Sequence, residues 1–308
     1  MRIERTLEAG GIARVHLVRL REEPWGAVEC VGALDPAVPV TEKIVLVVSS
    51  QYGCPVGCPM CDAGRGFHGN LEAKDIFAQI DFLMESWAGP AARRCPKLKI
   101  QFARMGEPSL NPAVLEVVSA LPRRYGIPGI MPCIATTAPK GSMEWFERLA
   151  DIKDGLFGSG MFQLQFSVQS TSEAGRGRLI PYPVTSLSGL SRLCERFVRP
   201  GDRRAVLNFA AVEGAPIEPG VLRDVFDPAR SLVKLTPLNP TGRSAASGLS
   251  TMFRSGVEPE VADLVSALEE AGFDVIVSVG LEAESEAGTS CGQLAFAGSG
   301  APERFQKS

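Results

Sequence analysis

Three cysteines spaced CxxxCxxC, Cys54, Cys58 and Cys61, stand in a loop that ends an apolar run, VVSSQYGCPVGCPMCDAGRGFHGN, residues 47 to 70. Thiolates so spaced can converge on one inorganic centre, because Gly53 and Gly57 let the backbone curl around it. A structural zinc would ask for a fourth protein ligand, and His68 is the only candidate in the loop. The better fit is a [4Fe-4S] cluster held by three thiolates with one iron left open, where a second molecule binds and is reduced. Further on, ArgMetGlyGluPro at 104 to 108 puts Glu107, a carboxylate able to hold an ammonium group, beside Gly106, which permits close backbone approach. Thr136, Thr137, Ser167, Gln169 and Asn239 are small polar groups of the kind that line a site for a polar cofactor. Cys30, Cys95, Cys133 and Cys194 read as core or surface thiols. Arg65, Arg176 and Arg178 read as solvated side chains near the same loops.

These groups need a scaffold, and the apolar pattern supplies one from Ile44 onward. Strands are predicted at 44 to 50, 98 to 104, 129 to 136, 161 to 168, 205 to 212, 231 to 238 and 273 to 280, with helices at 71 to 87, 112 to 121, 142 to 150, 186 to 197, 219 to 226 and 259 to 271. Apolar strands alternating with amphipathic helices imply a parallel sheet with right-handed crossovers. The fold expected is α/β, a partial (β/α)6 TIM-like barrel over 41–298. Residues 1–40, broken by Pro24, Pro36 and Pro39, read as a small hairpin or cap, and 299–308 as a tail. In such barrels the loops at the carboxyl ends of the strands build the active site, and the polar motifs fall there.

The chain has 308 residues, 45% hydrophobic and 22% charged, ample for one large core. Its formal net charge of -3 excludes a global basic field of the kind that grips phosphate chains. Neither a membrane span nor a secretory signal is evident, and eight cysteines with a tight triplet favour metal and thiol chemistry in a reducing, cytoplasmic compartment.

Five motifs in order, SSQYGCPVGCPMC with GFHGNL, MGEPSLN, FSVQS, LTPLNP and TSCGQLA, resemble those of the radical S-adenosylmethionine (SAM) superfamily. The match is closest to its class A methylases, the RlmN/Cfr group, which methylate adenine carbons in RNA. The likeness covers roughly residues 28 to 297. It implies that Cys54, Cys58 and Cys61 bind the [4Fe-4S] cluster and that Gly106, Glu107, Thr137, Ser167, Gln169 and Asn239 line the SAM pocket. It makes Cys291 a methyl-carrying cysteine, and Glu29, in ValGluCysVal, a catalytic carboxylate near the substrate. An unactivated sp2 carbon is too poor a nucleophile for direct transfer, so the family methylates the carrier with one SAM and activates that methyl group with a radical from a second. The substrate implied is an adenine in RNA. The same chemistry on a small molecule, a nucleoside or specialised metabolite, is the alternative, followed by a hydrogen-abstracting enzyme that transfers no methyl group. An electron donor such as flavodoxin or ferredoxin would be a partner.

Two departures stand out. The family's second cysteine, which resolves the covalent adduct, falls on Val47, which can neither act as a base nor attack sulfur. Cys30 and Cys133 are the substitutes to consider. Only 43 residues precede Ile44, where the family carries a longer helical segment that helps hold RNA.

Overall fold

The computed structural model describes residues 1–34, 38–39, 41–253, 259–278 and 292–296. One ten-stranded sheet runs through it. It opens with an antiparallel meander, β1 (Arg2–Ala9), β2 (Ala13–Arg19) and β3 (Ala27–Ala33), and β3 pairs antiparallel with β4 (Ile44–Val48). A small antiparallel pair, β5 (Gln51–Gly53) and β6 (Phe67–Asn70), brackets the cysteine loop. From β4 the pairing is parallel through β7 (Leu98–Phe102), β8 (Ile130–Thr136), β9 (Gln163–Ser167), β10 (Ala205–Ala210), β11 (Ser231–Thr236) and β12 (Val275–Val277). The crossovers carry α1 (Ala73–Leu83), α2 (Ala113–Tyr125), α3 (Met143–Leu156), α4 (Glu173–Leu179), α5 (Leu187–Phe197), α6 (Pro219–Val225), α7 (Gly242–Ala246) and α8 (Pro259–Glu270).

The helices cover one face of the sheet. Ile44, Leu46 and Val48 of β4, Leu98, Ile100 and Phe102 of β7, and Phe166, Leu207, Phe209, Val233 and Leu235 beyond them share one buried core with Ile76 and Ile80 of α1, Val114, Val117 and Val118 of α2, and Leu190, Leu193 and Phe197 of α5. Each such side chain contributes about 1.5 to 3 kcal/mol by leaving water, so this face fixes the register of every strand. In α5 the apolar residues recur three and four apart, and Ser186 starts the helix by accepting the Gly189 N–H at 3.2 Å. At the end of α2, Gly126 takes φ +60°, a left-handed stop.

The opposite face is different in kind. Register aligns Glu29 and Val31 of β3, Val45 and Val47 of β4, Lys99 and Gln101 of β7, Met131, Cys133 and Ala135 of β8, Gln163, Gln165 and Ser167 of β9, Val206 and Asn208 of β10 and Leu232 and Lys234 of β11 on it. A barrel interior is ordinarily packed with branched aliphatics; this one mixes apolar side chains with amides and charges.

The mostly parallel α/β sheet matches the expectation. Most strands end one to three residues earlier than the apolar runs suggest, because the last apolar residues turn into the mouth loops. The N-terminal strands join the main sheet. The short helices α4 and α7 and the β5–β6 pair gave no periodic signal, since each is too short to show one. Among the described residues β1 and β12 are the sheet's edges. No described helix is long and apolar enough to cross a membrane.

Candidate active site

The cysteine loop is held from three directions. The Cys54 N–H donates to the Gly66 carbonyl at 2.9 Å, and Gly53, at φ +77°, passes so close that a Cβ there would lie 1.8 Å from that oxygen. From the far end of the sheet, Thr241 Oγ1 donates to the Met60 carbonyl at 3.0 Å. The Gly242 and Arg243 N–H groups, at the start of α7, donate to the Asp62 carboxylate at 3.1 and 3.0 Å. The Arg243 guanidinium reaches the Gly57 carbonyl at 2.9 Å and the Gly64 carbonyl as well. Arg65 pairs with Asp62 at 3.1 Å. Asp62, Thr241 and Arg243 were not foreseen. Their signal was the ThrGlyArgSer run just after Asn239, which serves the loop by backbone donation rather than by a recognisable ligand type.

Cys54, Cys58 and Cys61 are half-buried and free of disulfides. Burial pushes the Cys54 thiol up to about 12, with Cys61 adding to it. Burial, then Cys61 and Cys54, raises Cys58 well above its ordinary value. Three thiols in mutual electrostatic reach and away from water are poor company as anions, and a cationic inorganic centre is what such a set takes. Among the described residues no three His, Cys, Asp or Glu side chains gather as ligands of a single ion. A [4Fe-4S] cube binds one thiolate per iron and so asks for a wider spacing, and the donor set fits it. His68 is exposed and stacks on Trp25 at 5.4 Å between ring centroids, a surface role.

Glu107 is 3% exposed and saturated with donors. One oxygen accepts from the Ser109 N–H at 3.1 Å, Ser109 Oγ at 2.8 Å and Thr136 Oγ1 at 2.5 Å; the other accepts from the Thr137 N–H and Thr137 Oγ1, both at 2.8 Å. A carboxylate offers about four acceptor positions, so an ammonium group enters here only if a hydroxyl rotates away, which Thr137 Oγ1 can do at little cost. Gly106 has φ +110°, and a Cβ there would lie 2.6 Å from Ser50 Oγ. This closeness lets Gln51 Oε1 accept the Glu107 N–H at 2.8 Å and Ser49 Oγ accept the Met105 N–H at 3.1 Å. Asn111 donates to the Ser50 and Leu71 carbonyls at 2.7 and 2.9 Å. The serines, glutamine and asparagine of these motifs thus wire one mouth loop to the next.

Gly106, Glu107 and Thr137 are brought together. Ser167 ends β9, and Gln169, at φ +67°, accepts the Ala210 N–H at 2.7 Å. Asn239 is exposed, two residues before the Thr241 anchor. Arg176 overturns its solvated reading: it lies on α4, 1% exposed, and pairs with Glu173 at 3.6 Å. Arg178 donates to the Gly214 carbonyl at 2.9 Å. A cavity of about 560 Å³ beside Ile217, Met252 and Leu264 lies on other elements than these.

Cys291 lies outside the described residues. The turn that follows it is described and is pinned by Glu29. That carboxylate is fully buried, pairs with Arg104 at 2.7 Å, and accepts the Gly292 and Ala295 N–H groups, both at 2.9 Å. Gly292, at φ +84°, is wedged so close to the cysteine loop that a Cβ would lie 2.2 Å from Ala63 N. Leu294 packs with Val31, and Val47 packs against the same cluster. The position of the family's second cysteine therefore borders the turn after Cys291. Cys30 points to the opposite face, into the helix-side core, where burial pushes its thiol up to about 12. Cys133 shares the row of Val47 and Gln101, two strands from Val47, about 10 Å at ordinary strand spacing.

No family model matches the chain. It is 29% identical over 272 residues to a probable dual-specificity RNA methyltransferase RlmN of Thermosynechococcus vestitus, covering 83% of this chain and 71% of that one. It is 25% identical over 268 residues to the dual-specificity RNA methyltransferase RlmN of Marinobacter nauticus, covering 83% and 67%. Against the corresponding protein of Synechococcus elongatus, 29% identical, it spans 63% of the relative's length. In fold it is similar to a radical SAM methyltransferase from Sphaerobacter thermophilus, at TM-score 0.73 and 22% identity over 94% of this chain and 80% of the other.

Proposed function

We propose that the chain, similar to RlmN RNA methyltransferases in sequence and to a radical SAM methyltransferase in fold, is a divergent RlmN/Cfr-like radical SAM methylase that methylates an unactivated sp2 carbon, in the family manner an adenine carbon of RNA, with Cys291 as methyl carrier. The observation that carries this reading is the wiring of three elements to one mouth: the cysteine loop, the Glu107 loop and the turn after Cys291. Cys54, Cys58 and Cys61 would hold the [4Fe-4S] cluster, and Gly106, Glu107, Thr137, Ser167, Gln169 and Asn239 would hold SAM. Bound there, the pair supplies a methyl cation equivalent and, on one-electron reduction by a partner such as flavodoxin or ferredoxin in the cytoplasm, a primary carbon radical.

The chain's own residues supply position. Glu107, fixed by two backbone N–H donors and three hydroxyls, orients the ammonium group it accepts in exchange for a hydroxyl. Gly106 keeps the chain low enough for a ligand to lie over it. Glu29 acts on the carrier turn through Gly292 and Ala295. Already accepting two N–H groups and an arginine, it is better suited to hold that turn than to take a proton from substrate. Val47 contributes only packing, so release of the adduct differs from the family's route.

Reduced, cluster-loaded protein given SAM and adenine-containing RNA should form both deoxyadenosine and a methylated adenine. Deoxyadenosine without any methyl transfer would support the hydrogen-abstracting alternative instead. The small-molecule alternative is favoured by Val47, whose side chain cannot perform the family's release step.

A further inference from the structure

The rim of the mouth beside the cysteine loop carries an aromatic stack that the methylation chemistry leaves unused. β3 runs antiparallel to β4, with Ala33 opposite Val45 and Val31 opposite Val47, so the turn joining β2 to β3 hangs over the end of β4 from which the cysteine loop departs. Trp25 stands in that turn. Its indole lies flat against the imidazole of His68 in β6, with 5.4 Å between ring centroids and 8° between planes. The Tyr52 ring meets the same indole at 5.2 Å and 72°, and Arg21 lies over Tyr52 at 5.3 Å.

Tyr52 is 1% exposed and Trp25 half-buried, whereas His68 is exposed. The imidazole is therefore the ring presented to solvent, and the indole is its backing. Phe67, one residue earlier in β6, is 45% exposed. The backbone ties these rings to the cysteine loop, since Phe67 pairs with Gly53 and the Gly66 carbonyl accepts the Cys54 N–H at 2.9 Å. Charge at this rim is mixed. Arg21 is engaged with Glu72 at 3.0 Å, Arg65 with Asp62 at 3.1 Å, and Glu22 and Glu23 are exposed on the turn of Trp25. Cations already paired make a poor grip for phosphates, while ordered, exposed rings suit a flat partner.

An adenine that enters the mouth must leave its stack, and the nucleotide beside it, drawn across the rim, loses a stacking partner. A ring already held against a second ring replaces that partner at little entropic cost. We propose that the Trp25–His68 pair is a stacking platform for the base next to the target adenine in a single-stranded stretch of RNA. The inference rests on the RNA reading of the methylase and adds how that RNA is held, by ring contact with few phosphates gripped.

Binding of a single-stranded hexaribonucleotide with a central adenine to the cluster-loaded protein tests it, beside two versions that each lack the base on one side of that adenine. One abasic version is expected to bind the wild type about tenfold more weakly, as loss of one base–aromatic stack does. His68→Ala should lose about the same factor on the intact oligonucleotide and show no further loss on that abasic one, with melting temperature and iron content unchanged. His68→Tyr should keep wild-type affinity. No binding by the wild type, unchanged affinity in His68→Ala, or an abasic penalty that persists in that variant overturns the platform. So does a His68→Ala protein that binds RNA as before but is reduced more slowly by flavodoxin, which would give this face to the electron donor. Methylated RNA from a His68→Ala protein of unaltered affinity would remove the platform and leave the methylase; the expected binding pattern in a protein that transfers no methyl group would do the reverse.

Discussion

At the scale of single residues, Glu29 is the most consequential side chain beyond the cysteines. It is fully buried, joined to Arg104, and supplies the acceptors for two backbone N–H groups of the turn after Cys291. Glu29→Gln replaces an acceptor with a donor facing those N–H groups and removes the carboxylate paired with Arg104, a change that costs about 1 to 3 kcal/mol for a buried group left unsatisfied. A lowered denaturant midpoint with faster hydrogen exchange at the Gly292 and Ala295 amides is the expected outcome. An unchanged midpoint would mean the carboxylate does not hold the turn. The sequence marked Glu29 as a site carboxylate through its motif, but its partner lies more than 260 positions away, and no local pattern carries that distance. Arg176 shows the reverse: a charge that reads as solvated is enclosed on α4, because burial depends on what packs over a short helix and not on the helix itself.

At the scale of elements, the short α7 secures the cluster loop. Thr241, Gly242 and Arg243 spend backbone and side-chain donors on Met60, Asp62, Gly57 and Gly64. Arg243→Ala should leave the fold intact and raise the rate at which a chelator strips iron about tenfold or more, as loss of a group supporting metal ligands does; iron retention equal to wild type would contradict this anchoring. The long strands and helices were legible because each has a strong apolar face, while α7 and β5–β6 were not, because their role lies in hydrogen bonds across the chain. In the N-terminal meander, His16 is held at about 4 by burial, with Arg14 adding to it, while its ordinary value is near 6.5. The folded state thus binds less proton than the unfolded chain between those values, and stability present above about 6.5 is lost as pH falls toward 4. His16→Gln should flatten that part of the stability profile, measured by denaturant melts across pH; an unchanged slope would exclude His16 as its source.

At the scale of the whole molecule, one mostly parallel sheet separates two environments: an apolar face under the helices and an opposite face that mixes apolar side chains with amides and charges. The formal net charge of -3 gives no global attraction to a phosphate chain, so we expect few phosphate contacts. The logarithm of RNA affinity should then fall with the logarithm of salt at a slope shallower than about -3, measured by titration at several ionic strengths; a slope near -6 or steeper would point to an extensive phosphate-binding surface. The fold class was readable from alternation alone, and the placement of the cysteine and Glu107 loops at strand ends followed from it. The enclosed polar side chains of the opposite face were not, since alternating polar residues in a strand read equally well as facing solvent.

The central claim is that Cys291 carries a methyl group drawn from SAM in a cluster-dependent site. Mass spectrometry of cluster-loaded protein incubated with methyl-labelled SAM tests it most directly. The account predicts one labelled methyl on the peptide containing Cys291, absent from Cys291→Ala. A full cluster with no label on that peptide would contradict it.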